Sequence, residues 1–334
     1  ITYTREQMFQ WRDMIVKYTD IPVSSIGLIY SEEKRLAPIT ITTYQSGFRI
    51  INDISPYFNM LIVDEVHHLP ADKFRYIALH SLARYRMGLS ATPVREDGRH
   101  EELFPLLGGI IYYKSPSELV EMGYLAKYKI ITVKVKLTEE EYREYLKLRD
   151  KYRVYAGTRS FQEVLEDAKK GDETAKEALK IHSQIRMLLA RSEAKIRKAV
   201  EIARKELEAG SKIIVFTQYV EQARKISEEL NAMLLTGETP VDERKSILYR
   251  FKEMDKGILV VTTVGDEGLD IPDANVGIIV SGTGSRRQFI QRLGRLLRPK
   301  KNGVEAKLYE IVLVKTPEEY QARKRKNIDL DEYL

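Results

Sequence analysis

Cysteine is absent from the 334 residues. That excludes disulfides and thiolate metal sites, and it fits a cytosolic setting. No apolar run approaches the ~18 residues of a membrane span, so no membrane partner is expected. The opening "ITYTREQMFQW" carries charges and no cleavage pattern, which argues against a signal peptide. None of the 19 glycines is followed by lysine. The loop G-x-x-x-x-G-K-[ST], whose backbone amides and lysine cradle phosphates, is therefore missing from these residues. Short repeats and low-complexity tracts are also lacking.

What is present is a chain of 43% hydrophobic residues, long enough for two domains with separate cores. The formal net charge of +6 is a weak pointer to a polyanionic partner and fits a solvated mixed-charge surface equally well. Richness in Lys and Glu without Cys also suits a thermophile.

Short apolar runs alternate with amphipathic stretches. "SSIGLIY", "PITITTYQ", "MLIVDE" and "YRMGLSAT" read as strands, with helices between them over 5–18 and 71–82. Continuously apolar strands alternating with helices imply a parallel sheet covered on both faces. After about Val135 the texture changes to long, charged helical segments. A second strand series follows: "KIIVFTQ", "GILVVTT", "NVGIIVSG" and "KLYEIVLV". The expected class is α/β, with a first domain over 1–136, a helical insertion over 137–192, a second α/β domain over 193–316 and a basic tail over 317–334.

Within "LIVDEVHHLP" two carboxylates, Asp64 and Glu65, follow an apolar strand. Ligands of open parallel sheets bind at the carboxyl ends of strands. One carboxylate there can hold Mg²⁺, and a second can orient or deprotonate an attacking water. The alternative is an acidic turn that caps the next helix, with His68 structural.

"SRRQFIQRLGRLLRP" supplies the complementary charge. At about 100° per residue, Arg292, Arg295, Arg298, Gln288 and Gln291 share one arc of a helix. Phe289, Ile290, Leu293, Leu296 and Leu297 occupy the opposite face, and the window holds no acid. Guanidiniums bind phosphate oxygens bidentately, so this face reads as aimed at a nucleotide or at a nucleic-acid backbone, with a solvated helix face as the alternative. Pro299 loosens the direction of Arg298.

Taken in order, these motifs resemble superfamily 2 helicases. "DEVH" at 64–67, "SAT" at 90–92, "TTVGDEGLDIP" at 262–272 and "QRLGRLLR" at 291–298 look like motifs II, III, V and VI; "TREQMFQW", "TTYQ" and "IIVFTQY" look like motif Ia, the next DNA-contacting motif and motif IV. "RED" at 95–97 and the helical insertion are similar to XPB-type DNA helicases, which carry an RED element and a thumb-like insertion. The resemblance implies two RecA-like parallel-sheet domains, ATP and Mg²⁺ as cofactors, and single-stranded or forked DNA as partner. It also implies a motor that opens DNA in repair or transcription. The implied setting is cytoplasmic, and nucleoid-associated if the source is archaeal; a nuclease is a plausible protein partner, with the tail as its candidate docking segment or a frayed terminus.

The resemblance also assigns roles. Asp64 would hold the Mg²⁺ of MgATP, and Glu65 would position the hydrolytic water. Arg295 and Arg298 would act as arginine fingers, with Gln291, Arg292, Gly268 and Asp270 near the nucleotide. His67, Ser90 and Thr92 would couple nucleotide state to domain movement. Arg5, Thr43, Gln218, Thr262 and Thr263 would lie along the DNA backbone. Arg95, Glu96 and Asp97 would stand at the fork, although the triplet also reads as an exposed loop with a local ion pair. In the insertion, Lys147, Arg149, Lys151, Arg153 and Arg159 could follow a backbone while Tyr145, Tyr152 and Tyr155 stack on bases. A charged helical hairpin is the other reading.

One departure matters. In the family the phosphate loop precedes motif Ia, with which this sequence opens. The expectation is an N-terminal segment lost from a longer protein, leaving exposed apolar surface on the first domain and no ATP turnover from these residues alone. The competing readings are a catalytically silent DNA-binding or docking fragment and an RNA-directed or restriction-type translocase.

Overall fold

A computed structural model describes residues 1–90, 99–124, 126–262, 274–281 and 305–327. The first unit is built from α1 (Arg5–Tyr18), β1 (Ile26–Ile29), β2 (Ile39–Thr42), α2 (Tyr44–Ile54), β3 (Met60–Val63), α3 (Arg75–His80) and β4 (Tyr85–Gly88), followed by α4 (Leu103–Leu107) and α5 (Pro116–Glu121). Strands β1 and β2 pair in parallel, as do β3 and β4. Ile1 and Thr2 stand between the two pairs. The Thr2 N–H donates to the Thr42 carbonyl and the Asp64 N–H donates to the Ile1 carbonyl, each at 2.9 Å.

All four strands thus run the same way, and their carboxyl ends share one edge. Helix α1 starts at that edge because Thr4 and Gln7 form a capping box: the Gln7 N–H donates to Thr4 Oγ1, and the Thr4 N–H donates to Gln7 Oε1.

The core of this unit gathers Tyr44, Leu61, Val63, Leu69 and Ile77. Alternate residues of β3 and β4 face the other way, and Met60, Ile62, Tyr85 and Met87 are exposed there. This differs from the expectation of strands covered on both faces. The physical reason is that no described element packs on that side.

The second unit holds the longer sheet. Its strands are β5 (Tyr128–Val135), β6 (Lys212–Thr217), β7 (Met233–Leu235), β8 (Gly257–Thr262), β9 (Val276–Ile279) and β10 (Ala306–Leu313). They lie in the order β5-β10-β9-β6-β8-β7, every pair parallel. Strand β5 falls within residues 1–136, yet it pairs with β10 over its whole length. Strands β6 and β8 are the continuously apolar kind, and side chains on both faces are buried.

Between β5 and β6 come α6 (Glu139–Ala156), α7 (Phe161–Lys169), α8 (Glu173–Ala190) and α9 (Glu193–Glu208). The remaining helices among the described residues are α10 (Val220–Leu230), α11 (Val241–Glu253) and α12 (Pro317–Asn327). The insertion packs α6 and α7 on α8 around Tyr145, Ile181, Ile185 and Leu189, and seats on the sheet through Leu313. Tyr145 is buried and Tyr152 and Tyr155 pack on the same cores. Tyr145 is therefore a core residue and not a platform for bases. Arg159 donates to the Ala156 and Tyr155 carbonyls, so it closes the end of α6 rather than facing a phosphate backbone. Among the described residues no helix is long and apolar enough to cross a membrane.

Candidate active site

The acidic pair occupies the carboxyl end of β3. Asp64 continues the strand's bonding, and Glu65 then turns the chain with a left-handed backbone at φ 47°. Few non-glycine residues adopt that conformation, and in functional loops it stores strain. A short 3-10 turn (Val66–His68) follows. It is seated by the Val66 N–H, which donates to the Leu89 carbonyl at 2.9 Å, just past the end of β4. Gly88 makes that approach available: a Cβ there would lie 2.8 Å from Val66 Cγ2 and 3.0 Å from Leu107 Cδ1.

Each oxygen of the Asp64 carboxylate receives one donor. The Glu65 N–H donates to Oδ1 at 2.9 Å, and the Trp11 indole N–H donates to Oδ2 at 2.8 Å. The Tyr44 hydroxyl lies 3.1 Å and 3.2 Å from the carbonyl oxygens of Asp64 and Glu65 and holds the turn from beneath. Burial raises the Tyr44 pKa, and the nearby Asp64 and Glu65 charges push it further up, so the hydroxyl stays a donor. Behind the turn, Tyr3 stacks on His68 with ring centroids 3.8 Å apart, which gives His68 the structural role expected of it.

His67 is buried at 1% exposure. Its Nδ1 lies 3.0 Å from Ser90 Oγ and 3.4 Å from Glu65 Oε2. Asp64, Glu65, His67 and Ser90 are thereby brought into one cluster across β3 and β4.

Arg5 lies at the start of α1 on the same sheet edge. It donates to Glu32 Oε1 at 2.9 Å and to Ser31 Oγ at 2.7 Å. Thr43 is buried, and its hydroxyl accepts from the Ser46 N–H as the N-cap of α2. In the second sheet Thr217 and Thr262 are register partners on adjacent strands, which places Gln218 and Thr262 together at a carboxyl edge. The Gln218 N–H donates to Ser281 Oγ at 2.9 Å, and Thr262 is buried at the end of β8. Thr92, Arg95, Glu96, Asp97, Thr263, Gly268, Asp270, Gln291, Arg292, Arg295 and Arg298 lie outside the described residues.

Two residues were missed by sequence reasoning. Trp11 and Tyr44 both lie inside motifs singled out there, yet their polar tips contact the acidic turn. The available signal was chemical: an aromatic ring with an N–H or O–H must place that donor when its body is buried.

No group of three potential metal ligands occurs among the described residues. One carboxylate with a further lone pair on each oxygen suits Mg²⁺ only when phosphates and water complete the shell, which is how that ion is commonly bound to nucleotides. The donor set fits a magnesium–nucleotide complex and not a closed metal cage.

The model of the ERCC3/RAD25/XPB C-terminal helicase family matches residues 170–332, and that of the type III restriction enzyme res subunit matches residues 1–95. The DNA 3'-5' translocase XPB2 of Sulfurisphaera tokodaii is 38% identical over 97% of this chain and 73% of its own length. The DNA 3'-5' helicase XPB of Kineococcus radiotolerans is 32% identical over 95% of this chain. The chain spans only 52% of that relative's length. The Hef helicase domain of Pyrococcus furiosus superposes over 97% of this chain and 88% of its own with a TM-score of 0.62 at 22% identity, and so shares the fold. By sequence match, the chain belongs to the XPB family of DNA helicases and translocases.

Proposed function

We propose that these residues form most of an ATP-driven motor that moves along DNA and opens it. The observation that carries this reading is the cluster at the end of β3, in which Asp64 has both oxygens oriented and Glu65 is tied through His67 to Ser90. Asp64 holds the Mg²⁺ of the nucleotide, and Glu65 orients the attacking water. Arg295 and Arg298 supply positive charge for the transferred phosphoryl group, with Arg292, Gln291, Gly268 and Asp270 near the nucleotide. His67, Ser90 and Thr92 carry the nucleotide state towards the DNA grip. Arg5, Gln218, Thr262 and Thr263 lie on the DNA path. Thr43 contributes to that path through its backbone, since its hydroxyl caps α2. Arg95, Glu96 and Asp97 stand at the fork, and the segment after Thr316 docks a protein partner of nuclease type.

Turnover needs a phosphate-binding loop, which none of the 334 residues supplies. The test is therefore made in the natural protein that contains these residues. DNA should stimulate its ATP hydrolysis, and Asp64→Asn should remove the activity while leaving the fold intact by circular dichroism. Wild-type turnover by Asp64→Asn would overturn the reading. Activity on RNA duplexes in place of DNA would favour an RNA-directed translocase.

A further inference from the structure

We infer that Trp11 is the positioning residue of the metal-binding carboxylate, and that helix α1 is coupled to the nucleotide site through its indole. This rests on the proposed role of Asp64. The backbone N–H of Glu65 fixes one oxygen of Asp64, but it belongs to the same turn and moves with it. Trp11 is the described side chain that reaches the carboxylate from a different element, 2.8 Å from Oδ2.

Indole nitrogen is a donor only, so the contact orients Oδ2 and leaves its second lone pair for a cation. The ring itself is anchored. It packs on the cluster of Met8, Ile26, Leu28 and Ile41, which seats α1 on β1 and β2. The donor is therefore held by the sheet and not by the turn it orients.

The same helix joins two sites. It begins at Arg5, which faces the sheet edge where Ser31 and Glu32 hold its guanidinium. Its 14 residues form one continuous helix. A shift of its N-terminus on binding a DNA backbone is transmitted as a rigid displacement to Trp11, and hence to Asp64. A ring buried only for packing would need an acceptor of any kind. Here the acceptor is the carboxylate proposed to hold the metal.

Trp11 is the single tryptophan of the 334 residues, which gives the test a clean signal. In this chain the indole N–H should give one ¹⁵N-correlated resonance with slowed solvent exchange. Asp64→Ala should shift it and speed its exchange; an unchanged resonance would overturn the inference.

In the natural protein, Trp11→Phe should raise the Mg²⁺ concentration for half-maximal ATP hydrolysis about 10-fold, as loss of an outer-shell donor does, and should remove the effect of DNA on that concentration. Replacing Trp11 by benzothienylalanine keeps the ring and removes only the N–H. It should give the same Mg²⁺ shift if Trp11→Phe fails to fold. Unchanged Mg²⁺ dependence in a folded variant, with Asp64→Asn inactive, would overturn this inference alone. Wild-type turnover by Asp64→Asn would instead overturn the reading beneath it.

Discussion

His67 Nδ1 lies 3.0 Å from Ser90 Oγ, joining the turn after β3 to the residue beyond β4 through a buried imidazole. The bond crosses between the ends of two paired strands. If nucleotide state reaches the rest of the unit through this bond, Ser90→Ala should uncouple the two without abolishing nucleotide binding. A lost hydrogen bond of about 1 kcal/mol corresponds to a roughly 5-fold loss of DNA stimulation of ATP hydrolysis in the natural protein. An unchanged stimulation ratio would remove the coupling role.

Gly88→Ala tests how the turn is seated. A Cβ at 2.8 Å from Val66 must displace the turn or the strand end, because the neighbours are a packed valine and Leu107. Overpacking of this kind typically costs about 1–3 kcal/mol. Thermal unfolding should show the loss, and the Trp11 indole resonance should move as Asp64 is carried with the turn. A variant as stable as wild type with an unmoved resonance would contradict the packing account.

Much of this was legible in the sequence. The strand–helix alternation gave two parallel sheets, and the continuously apolar "KIIVFT" and "GILVVT" are the doubly covered centre strands they suggested. The acidic pair was placed correctly because strand ends follow from the apolar run before them. Other features depend on tertiary partners. Strand β5 lies within the 1–136 span expected for the first domain, but its partner β10 lies far downstream and no local signal reveals the pairing. The tyrosines of α6 read equally as stacking platforms or core until α8 is placed against them. The Trp11 bond to Asp64 joins positions 53 residues apart and carries no local trace.

Glu206 offers a test of the second sheet. Its carboxylate is buried and accepts from Lys307, Tyr309 and Ser211, binding α9 to β10. Burial raises its pKa, but the Tyr309 and Lys307 contacts outweigh this and leave it below the usual glutamate value of 4.5. A lowered folded pKa contributes stability that is present above the unfolded value and is lost as pH falls through the folded one. Glu206→Gln should therefore be less stable by about 1–3 kcal/mol near neutrality. The difference should shrink as the pH falls from about 6 to about 3. A gap in Tm that stays constant over that window would contradict the assignment.

The 334-residue chain purified by itself should show no ATP hydrolysis, with or without DNA, because the motif G-x-x-x-x-G-K-[ST] is missing from its sequence. A colorimetric phosphate assay checks this. Sustained turnover that tracks the chain through purification would show that another element takes the loop's place.

The most direct measurement is single-turnover ATP hydrolysis by Glu65→Gln in the natural protein, with DNA present and nucleotide binding followed separately. The amide keeps the shape of the side chain and removes its capacity to take a proton. Nucleotide affinity should stay near wild type while the hydrolysis rate falls by about 100-fold or more, the usual contribution of a positioned base. Hydrolysis at the wild-type rate would contradict the assignment of the turn after β3 as the catalytic centre.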